Sequence, residues 1–219
     1  MLTKILSAAH FGLKTIPVEV EVNVAKKGFP GFNIIGLANK AVEESRERVK
    51  TAITNSGVEF PQAKIIVNLA PADIPKEGSC YDLPIAIGIL NSLGLIRQLP
   101  DKSFFYGELS LDGSLRHTKG VFLLAIAAKE LGIKNLFVPQ PTANEAGVVK
   151  NINIFPVESL KQLISHLNQL ELIPKLENTK IQPVLDFVGL AEFDFAEILG
   201  QQQAKRALEI AATGGHNLF

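Results

Sequence analysis

The sequence predicts an α+β fold in which strands and helices alternate in layers. Three observations carry this reading. Short β-branched or alternating stretches recur from Thr15 to Val157, helix-period segments separate them, and one segment, Leu83 to Leu93, is apolar on nearly every side and so belongs inside a domain. At 47% hydrophobic and 20% charged, the 219 residues have the composition of an ordinary globule, enough for one sizeable core or a main domain plus a fragment. Lysine plus arginine equals aspartate plus glutamate at 22 each, so no global basic field attracts nucleic acid or an anionic membrane. A DNA contact would need a local patch.

The elements can be justified in order. Ile5 to Ala9 is a short apolar stretch that His10 and Gly12 interrupt before it reaches signal-peptide length, and no run of about 18 apolar residues exists, so a cytoplasmic protein with no membrane partner is expected. Thr15 to Val24 alternates valine with polar residues, the period of a strand with one wet, acidic face. Gly28, Pro30 and Gly31 turn the chain into a strand at Phe32–Ile35, and Asn39 is placed to cap a helix from Lys40 to Thr54. Val42, Val49 and Ile53 form the inner stripe of that helix, with Ala41, Ser45 and Ala52 beside them, and Glu44 and Arg48 stand four apart in the favourable order. Lys40, Arg46, Arg48 and Lys50 could meet phosphate, but Glu43, Glu44 and Glu47 interleave with them, which favours a solvated charged face.

After Asn55-Ser56-Gly57, the run Ile65-Ile66-Val67 suits a covered strand, and Pro71, Pro75 and Gly78 forbid regular structure until Asp82 can cap the apolar helix, with Pro84 in its first turn. A polar loop delivered onto a buried helix is a frequent place for chemistry. Ser103 to Leu109 reads as a strand that enters a hairpin with Asp112-Gly113 at its tip. A helix from Gly120 to Leu131 follows, with Val121, Phe122, Leu124, Ala125, Ala128 and Leu131 expected inside. Leu136–Val138 is a strand, Thr142–Val149 a short helix, Ile152–Val157 another strand, and Glu158–Leu167 an amphipathic helix. From residue 169 to 192 periodicity lapses around Pro174 and Pro183, as in a linker. The expected domains are therefore 1–168, a linker at 169–192, and 193–219. The single Cys80 excludes an intrachain disulfide, and His10, His117, His166 and His216 are scattered, which supports no zinc site and suits surface or packing roles.

Two stretches carry a resemblance. Pro75-Lys76-Glu77-Gly78, followed by two residues and a buried helix, is similar to the nucleophile loop of Lon-type serine proteases. Gly107–Gly113, then Gly120-Val121 opening a helix, then Gly132-Ile133-Lys134, resembles the Lon segment that bears the general-base lysine. The resemblance implies a hydroxyl nucleophile within reach of a desolvated lysine. Cys80 holds the serine position here and Phe122 the lysine position, so the expectation is a kept framework with no catalytic residues. A phenyl ring accepts no proton, and apolar surface at Phe122 would raise the Cys80 pKa to about 8.5 or above. The enzyme alternative makes Cys80 a thiol nucleophile assisted by Lys76 or His117, with Lys119 the nearest cationic substitute for the missing base. Against it stands the ordinary role of a lone cysteine beside a buried helix, a small packing residue. The loop residues of interest are Lys76, Glu77, Gly78 and Asp82.

Over the whole chain, Gly31–Leu37, Glu44–Val49, Asn68–Gly78, Asp82–Ala86 and Gly214–Leu218 resemble the bacterial ComM/YifB family, often labelled magnesium-chelatase-related. This implies a Lon-protease-like domain, sharing the fold of the second domain of a small-subunit ribosomal protein, followed by an AAA+ ATPase. Ser79-Cys80 departs from the family pattern at the loop. Residues 193–219 look like a truncated start of the AAA+ module, a leader and a helix, in which Ile198, Gly200 and Gln201 would touch an adenine. The sequence holds no Gly-x-x-x-x-Gly-Lys-Ser/Thr to cradle phosphates, so no cofactor is expected within these residues. ATP and magnesium, a homo-hexamer that contacts its own AAA+ domains, DNA as partner, and a role as an ATP-driven branch-migration motor in natural transformation are implied for the full-length protein. A magnesium-chelatase-like ATPase subunit is the other enzyme alternative, although no residue argues for porphyrin or for metal insertion.

Overall fold

The first strand is the one that periodicity does not announce. In a computed structural model, which describes residues 2–25, 28–177 and 195–218, β1 (Leu2–Phe11) forms an antiparallel hairpin with β2 (Lys14–Ala25), Leu2 facing Asn23 and Phe11 facing Lys14. Ser7, Ala8 and Ala9 are all buried, because β1 lies inside the sheet and both of its faces are covered there. A strand covered on both sides shows no alternation. The chain divides into two compact units, Met1–Lys180 and Ile181–Phe219.

In the first unit β3 (Gly31–Ile35) leads through α1 (Lys40–Glu43) and α2 (Ser45–Asn55) to β4 (Lys64–Ala70), which pairs in parallel with β3 and antiparallel with β2. Asn39 caps α1 as expected, its side chain accepting from the Val42 amide at 3.1 Å, but the expected single helix is broken at Glu44. After α3 (Asp82–Ser92) come β5 (Ser103–Phe105), a small hairpin of β6 (Glu108–Leu109) and β7 (Leu115–Arg116), then α4 (Val121–Glu130) and β8 (Asn135–Pro139). α5 (Gln140–Ala146), β9 (Asn153–Val157) and α6 (Leu160–Leu167) complete the unit. The main sheet runs β3-β4-β2-β1-β5-β8-β9, with β2 antiparallel to both of its neighbours and every other pairing parallel. The α+β reading holds. The strand expected over Ser103–Leu109 is two strands, because the chain bends at Tyr106-Gly107 to leave the large sheet.

Packing explains several residue choices. Phe105, Phe137 and Phe155 are direct neighbours across β5, β8 and β9, and their rings stack at 4.7 Å in both pairs. α3 lies against β1 and β2, and Gly88 faces them: a Cβ there would overlap Val22 Cγ2 and stand 3.1 Å from Val22 Cβ. A strand valine has no flexible end to move aside. Overpacking costs about 1–3 kcal/mol, and the helix-propensity gain from glycine to alanine offsets about 1 kcal/mol of it. Gly88→Ala should therefore lower the urea midpoint by a net loss of about 1 kcal/mol, and Gly88→Val should lower it further.

α4 departs from expectation at two positions. Val121, Leu124, Ala125 and Ala128 are buried, but Phe122 is 43% exposed and Leu131 50% exposed, so neither belongs to the core. Only the stripe that starts at Val121 faces inward, and residue 122 lies off it. Within the stretch expected as linker, Ile173 and Leu176 still pack on the rest of the first unit: Ile173 is buried, its amide donates to His166 Nδ1 at 3.0 Å, and the Leu176 amide donates to the Ile154 carbonyl at 2.8 Å on the edge strand β9. The expectations that rest on residues 178–194 lie outside the described residues. In the second unit a 3-10 turn, Phe195–Glu197, precedes α7 (Gln202–Gly214), which is exposed along most of its length apart from Ala211. No helix among the described residues is long and apolar enough to cross a membrane.

Candidate functional site

The loop from Pro71 to Tyr81 leaves the C-terminal end of β4, which lies between β3 and β2, and is fastened to its surroundings by main-chain bonds. The Lys76 amide donates to the Leu37 carbonyl at 3.1 Å, and the Asn39 amide returns a bond to the Lys76 carbonyl at 3.2 Å. The Lys76 side chain is fully buried and its ammonium donates to the Pro71 carbonyl. Burial pushes its pKa down, opposed in part by the charge of Asp73. Lys76 is thus a clamp across the base of its own loop and does not face the thiol as a cation. Glu77 and Gly78 are exposed, with Gly78 at φ 82, a conformation that glycine adopts without penalty. The Ser79 hydroxyl donates to the Glu108 carboxylate, and the Gly107 backbone holds the next turn, its amide donating to the Cys80 carbonyl at 2.9 Å and its carbonyl accepting from the Leu83 amide at 3.1 Å.

Asp82 does not cap α3, contrary to the expectation from sequence. Tyr81 occupies the cap position, and the Asp82 side chain, 0% exposed, turns inward to Arg48. Arg48 Nε donates to one carboxylate oxygen at 2.8 Å and Nη2 to the other at 3.1 Å, while the Leu109 amide adds a bond at 3.2 Å. Burial pushes the Asp82 carboxyl up, and Arg48, Ser45 and Leu109 pull it back down. Arg48 is therefore partnered with Asp82 and not with Glu44, and it also braces the Ala41 carbonyl at 3.1 Å. This pair ties α2 to the start of α3 and to β6.

Cys80 is 6% exposed and its thiol lies between the hydroxyls of Tyr81 and Tyr106. Burial pushes it up to about 12, and the groups acting on it are the two tyrosines, its own backbone and Asp82, with no cation among them. Both tyrosines are raised as well, mainly by burial. Phe122, 43% exposed, does not supply this environment, as the sequence had suggested; burial of the thiol itself raises it, and the tyrosine hydroxyls oppose that rise. His117 faces Glu145 at 3.9 Å, and Lys119 is exposed, contributing its carbonyl as acceptor of the Tyr106 hydroxyl at 2.9 Å. The structure brings Lys76, Glu77, Gly78 and Cys80 onto one loop with Asp82 at the start of α3, and the Lys76 ammonium and His117 are engaged with the Pro71 carbonyl and Glu145.

A cavity of about 320 Å³ opens beside the thiol, lined among others by His10, Glu77, Cys80, Tyr81 and Tyr106. Phe122 is not among its lining residues. His10 Nδ1 meets Thr15 Oγ1 at 2.9 Å, its ring edge rests on Tyr106 at 5.6 Å, and its buried Nε2 has no hydrogen-bond partner. A Cβ at Gly120 would stand 2.6 Å from that nitrogen, and Gly120 has φ 87, so both space and conformation require glycine. Burial lowers the His10 pKa and keeps the ring neutral. Sequence reasoning passed over Tyr106 and the Arg48–Asp82 pair and read His10 only as a surface or packing residue, because Arg48 and Asp82 stand 34 residues apart and His10 meets Tyr106 only in the fold.

In the second unit Ile198 is about half exposed, its carbonyl accepts from Lys205 Nζ at 2.5 Å, Gly200 has open space around it, and Gln201 takes φ 56 just before α7. These three adenine-contact candidates bring no phosphate cradle with them. Among the described residues no cluster of histidine, cysteine, aspartate or glutamate could hold a metal ion.

The family described as subunit ChlI of Mg-chelatase matches residues 20–142, and a second family, magnesium chelatase subunit ChlI, matches residues 194–219. The chain is 40% identical to Competence protein ComM of Haemophilus influenzae, over 98% of this chain and 42% of that protein, and 39% identical to YifB of Escherichia coli, over 96% and 40%. It is 25% identical to the Lon protease of Aster yellows witches'-broom phytoplasma, over 74% of this chain and 22% of that protease. The chain thus spans about two fifths of the length of ComM and YifB. With one family match over more than half of its residues and these relatives along nearly all of it, the chain belongs to the ChlI-related ComM/YifB family of AAA+ ATPases.

Proposed function

We propose that this chain is the non-catalytic N-terminal module of a ComM-type hexameric AAA+ ATPase, and that the full-length protein is an ATP-driven motor for DNA branch migration in natural transformation and recombination. Residues 1–168 are the Lon-like module, 169–192 the linker and 193–219 the entry to the ATPase domain, in a cytoplasmic protein. Its partners are its own AAA+ domain, the neighbouring subunits and DNA, and ATP with magnesium serves the ATPase part. The observation that carries the non-catalytic reading is Cys80: the residue at the nucleophile position is a buried thiol that desolvation keeps neutral, with no cation among the groups acting on it. Nucleophilic catalysis requires an activated group, by lowered pKa or by an adjacent base. The similarity to Competence protein ComM along almost the whole chain supports the wider reading.

The test compares the full-length protein with a version lacking residues 1–168. The full-length protein should hydrolyse ATP faster when branched DNA is added, and the shortened one should keep basal hydrolysis and lose that response. Neither should degrade casein. An ATPase indifferent to DNA would remove the motor reading, and casein cleavage abolished by Cys80→Ala would replace the module with a thiol protease.

A further inference from the structure

We propose that the cavity between β3, α2 and the turn at Phe60–Ala63 is a subsite for single-stranded nucleic acid, one base against an aromatic wall and the adjoining phosphate on two cations. The biological setting rests on the DNA-motor reading; the site itself rests on geometry. The cavity is about 360 Å³ and is lined by Pro30, Phe32, Arg46, Lys50, Phe60 and Pro61 among others. That volume lies within the roughly 300–1,000 Å³ range of small-ligand clefts. Phe32 and Phe60 stack on each other at 6.0 Å and 30°, both half-buried and therefore held in place, and both lining the opening.

The charged helix face looks different once folded. Arg48 is withdrawn to Asp82, whereas Arg46 and Lys50, one turn apart on α2, remain exposed beside the aromatic pair. Neither of them makes a salt bridge among the described residues; Arg46 Nε donates to the Glu43 carbonyl at 3.0 Å, and the rest of its guanidinium has no partner. One acid, Glu47, also lines the cavity, so two cations outweigh it, and Lys64 stands exposed and unpaired next to the lining residue Ala63. Aromatic faces that stack bases, joined to cations that follow the backbone, are how sequence-tolerant single-strand binding is built. A duplex keeps its bases stacked inside and cannot offer one to a walled recess. The proline walls, Pro30 and Pro61, also favour stacking over sequence readout.

The test is fluorescence anisotropy of a labelled oligothymidylate with the 219-residue chain at about 50 mM salt, where phosphate contacts are strong. The native chain should bind, and Phe60→Ala should weaken binding about tenfold or more. Phe60→Leu, which keeps apolar bulk and so guards the fold, should weaken it nearly as much. Lys50→Glu, at an exposed site, should weaken it and flatten the salt dependence by about one unit of slope. Lys129→Glu on α4 should change nothing. The proposal falls if the native chain does not bind, if Phe60→Leu binds like wild type, if a duplex of equal length binds as well, or if the loss at Phe60 tracks self-association of the chain. Phe60-independent binding together with a DNA-responsive full-length ATPase would sink the site alone; Phe60-dependent binding with a DNA-indifferent ATPase would sink the motor reading alone.

Discussion

Replacing Arg48 by alanine is expected to cost the fold about 3–5 kcal/mol, the range for stripping the partner from a buried charge. Asp82 is 0% exposed and Arg48 22% exposed, so solvent screens the pair little on the acid's side and somewhat on the cation's, which places the expected loss toward the lower end. Without the guanidinium, the carboxylate keeps the Leu109 amide as a donor and has no positive charge to offset its lost hydration. The pH dependence follows. Burial already raises the Asp82 pKa, and removing Arg48 takes away its largest opposing influence. A carboxyl whose folded pKa lies above its unfolded value of about 3.9 imposes no ionisation cost below that value, and an increasing one as pH rises from it toward the folded pKa. The gap between wild type and Arg48→Ala in urea denaturation should therefore be widest near neutral pH and shrink toward pH 4. The double variant Arg48→Met with Asp82→Leu, which leaves no orphan charge, should recover most of the loss. A gap that is flat with pH would mean that Arg48 acts through its packed stem and not through Asp82.

The strand–helix alternation, the buried α3, the Asn39 cap and the Asp-Gly hairpin were legible because each is a local pattern, set by side-chain period or turn chemistry within a few residues. What was not legible depended on distant partners. β1 is covered on both faces at Ser7, Ala8 and Ala9, and its sequence has no alternation to read. Asp82 stands where a cap would stand, and only the arrival of Arg48, 34 residues earlier, turns it into the charge at the centre of a tie between three elements. Phe122 shows the converse. An apolar residue one place off the inward stripe of α4 is exposed whatever its hydropathy, so the position that the family resemblance marks for a base is neither a base nor the source of the thiol's surroundings. The recess at Phe32 and Phe60 joins residues from three segments, which no window along the chain brings together.

The thiol of Cys80 should react with iodoacetamide roughly a thousandfold more slowly in the folded protein than in urea, when both are compared near pH 8. Alkylation proceeds through the thiolate, and burial pushes the Cys80 pKa up to about 12, which cuts the thiolate fraction near pH 8 by about three powers of ten against an ordinary thiol. The shift is upward for an acid, so the neutral form is the folded form throughout the physiological range, and the rate should keep climbing with pH past 10 without a plateau. The unfolded chain should level off near the ordinary thiol value. Steric closure adds to the effect, because a thiol 6% exposed admits the reagent only through the narrow cavity beside His10 or by opening of the fold. Urea at concentrations below the unfolding transition separates these routes: a rate that rises with denaturant in step with global stability reports opening, and a flat one reports the cavity. A plateau below pH 7 would mean that a cation or a base reaches Cys80 in solution. Joined to casein cleavage that disappears in Cys80→Ala, it would make the loop a working nucleophile site after all.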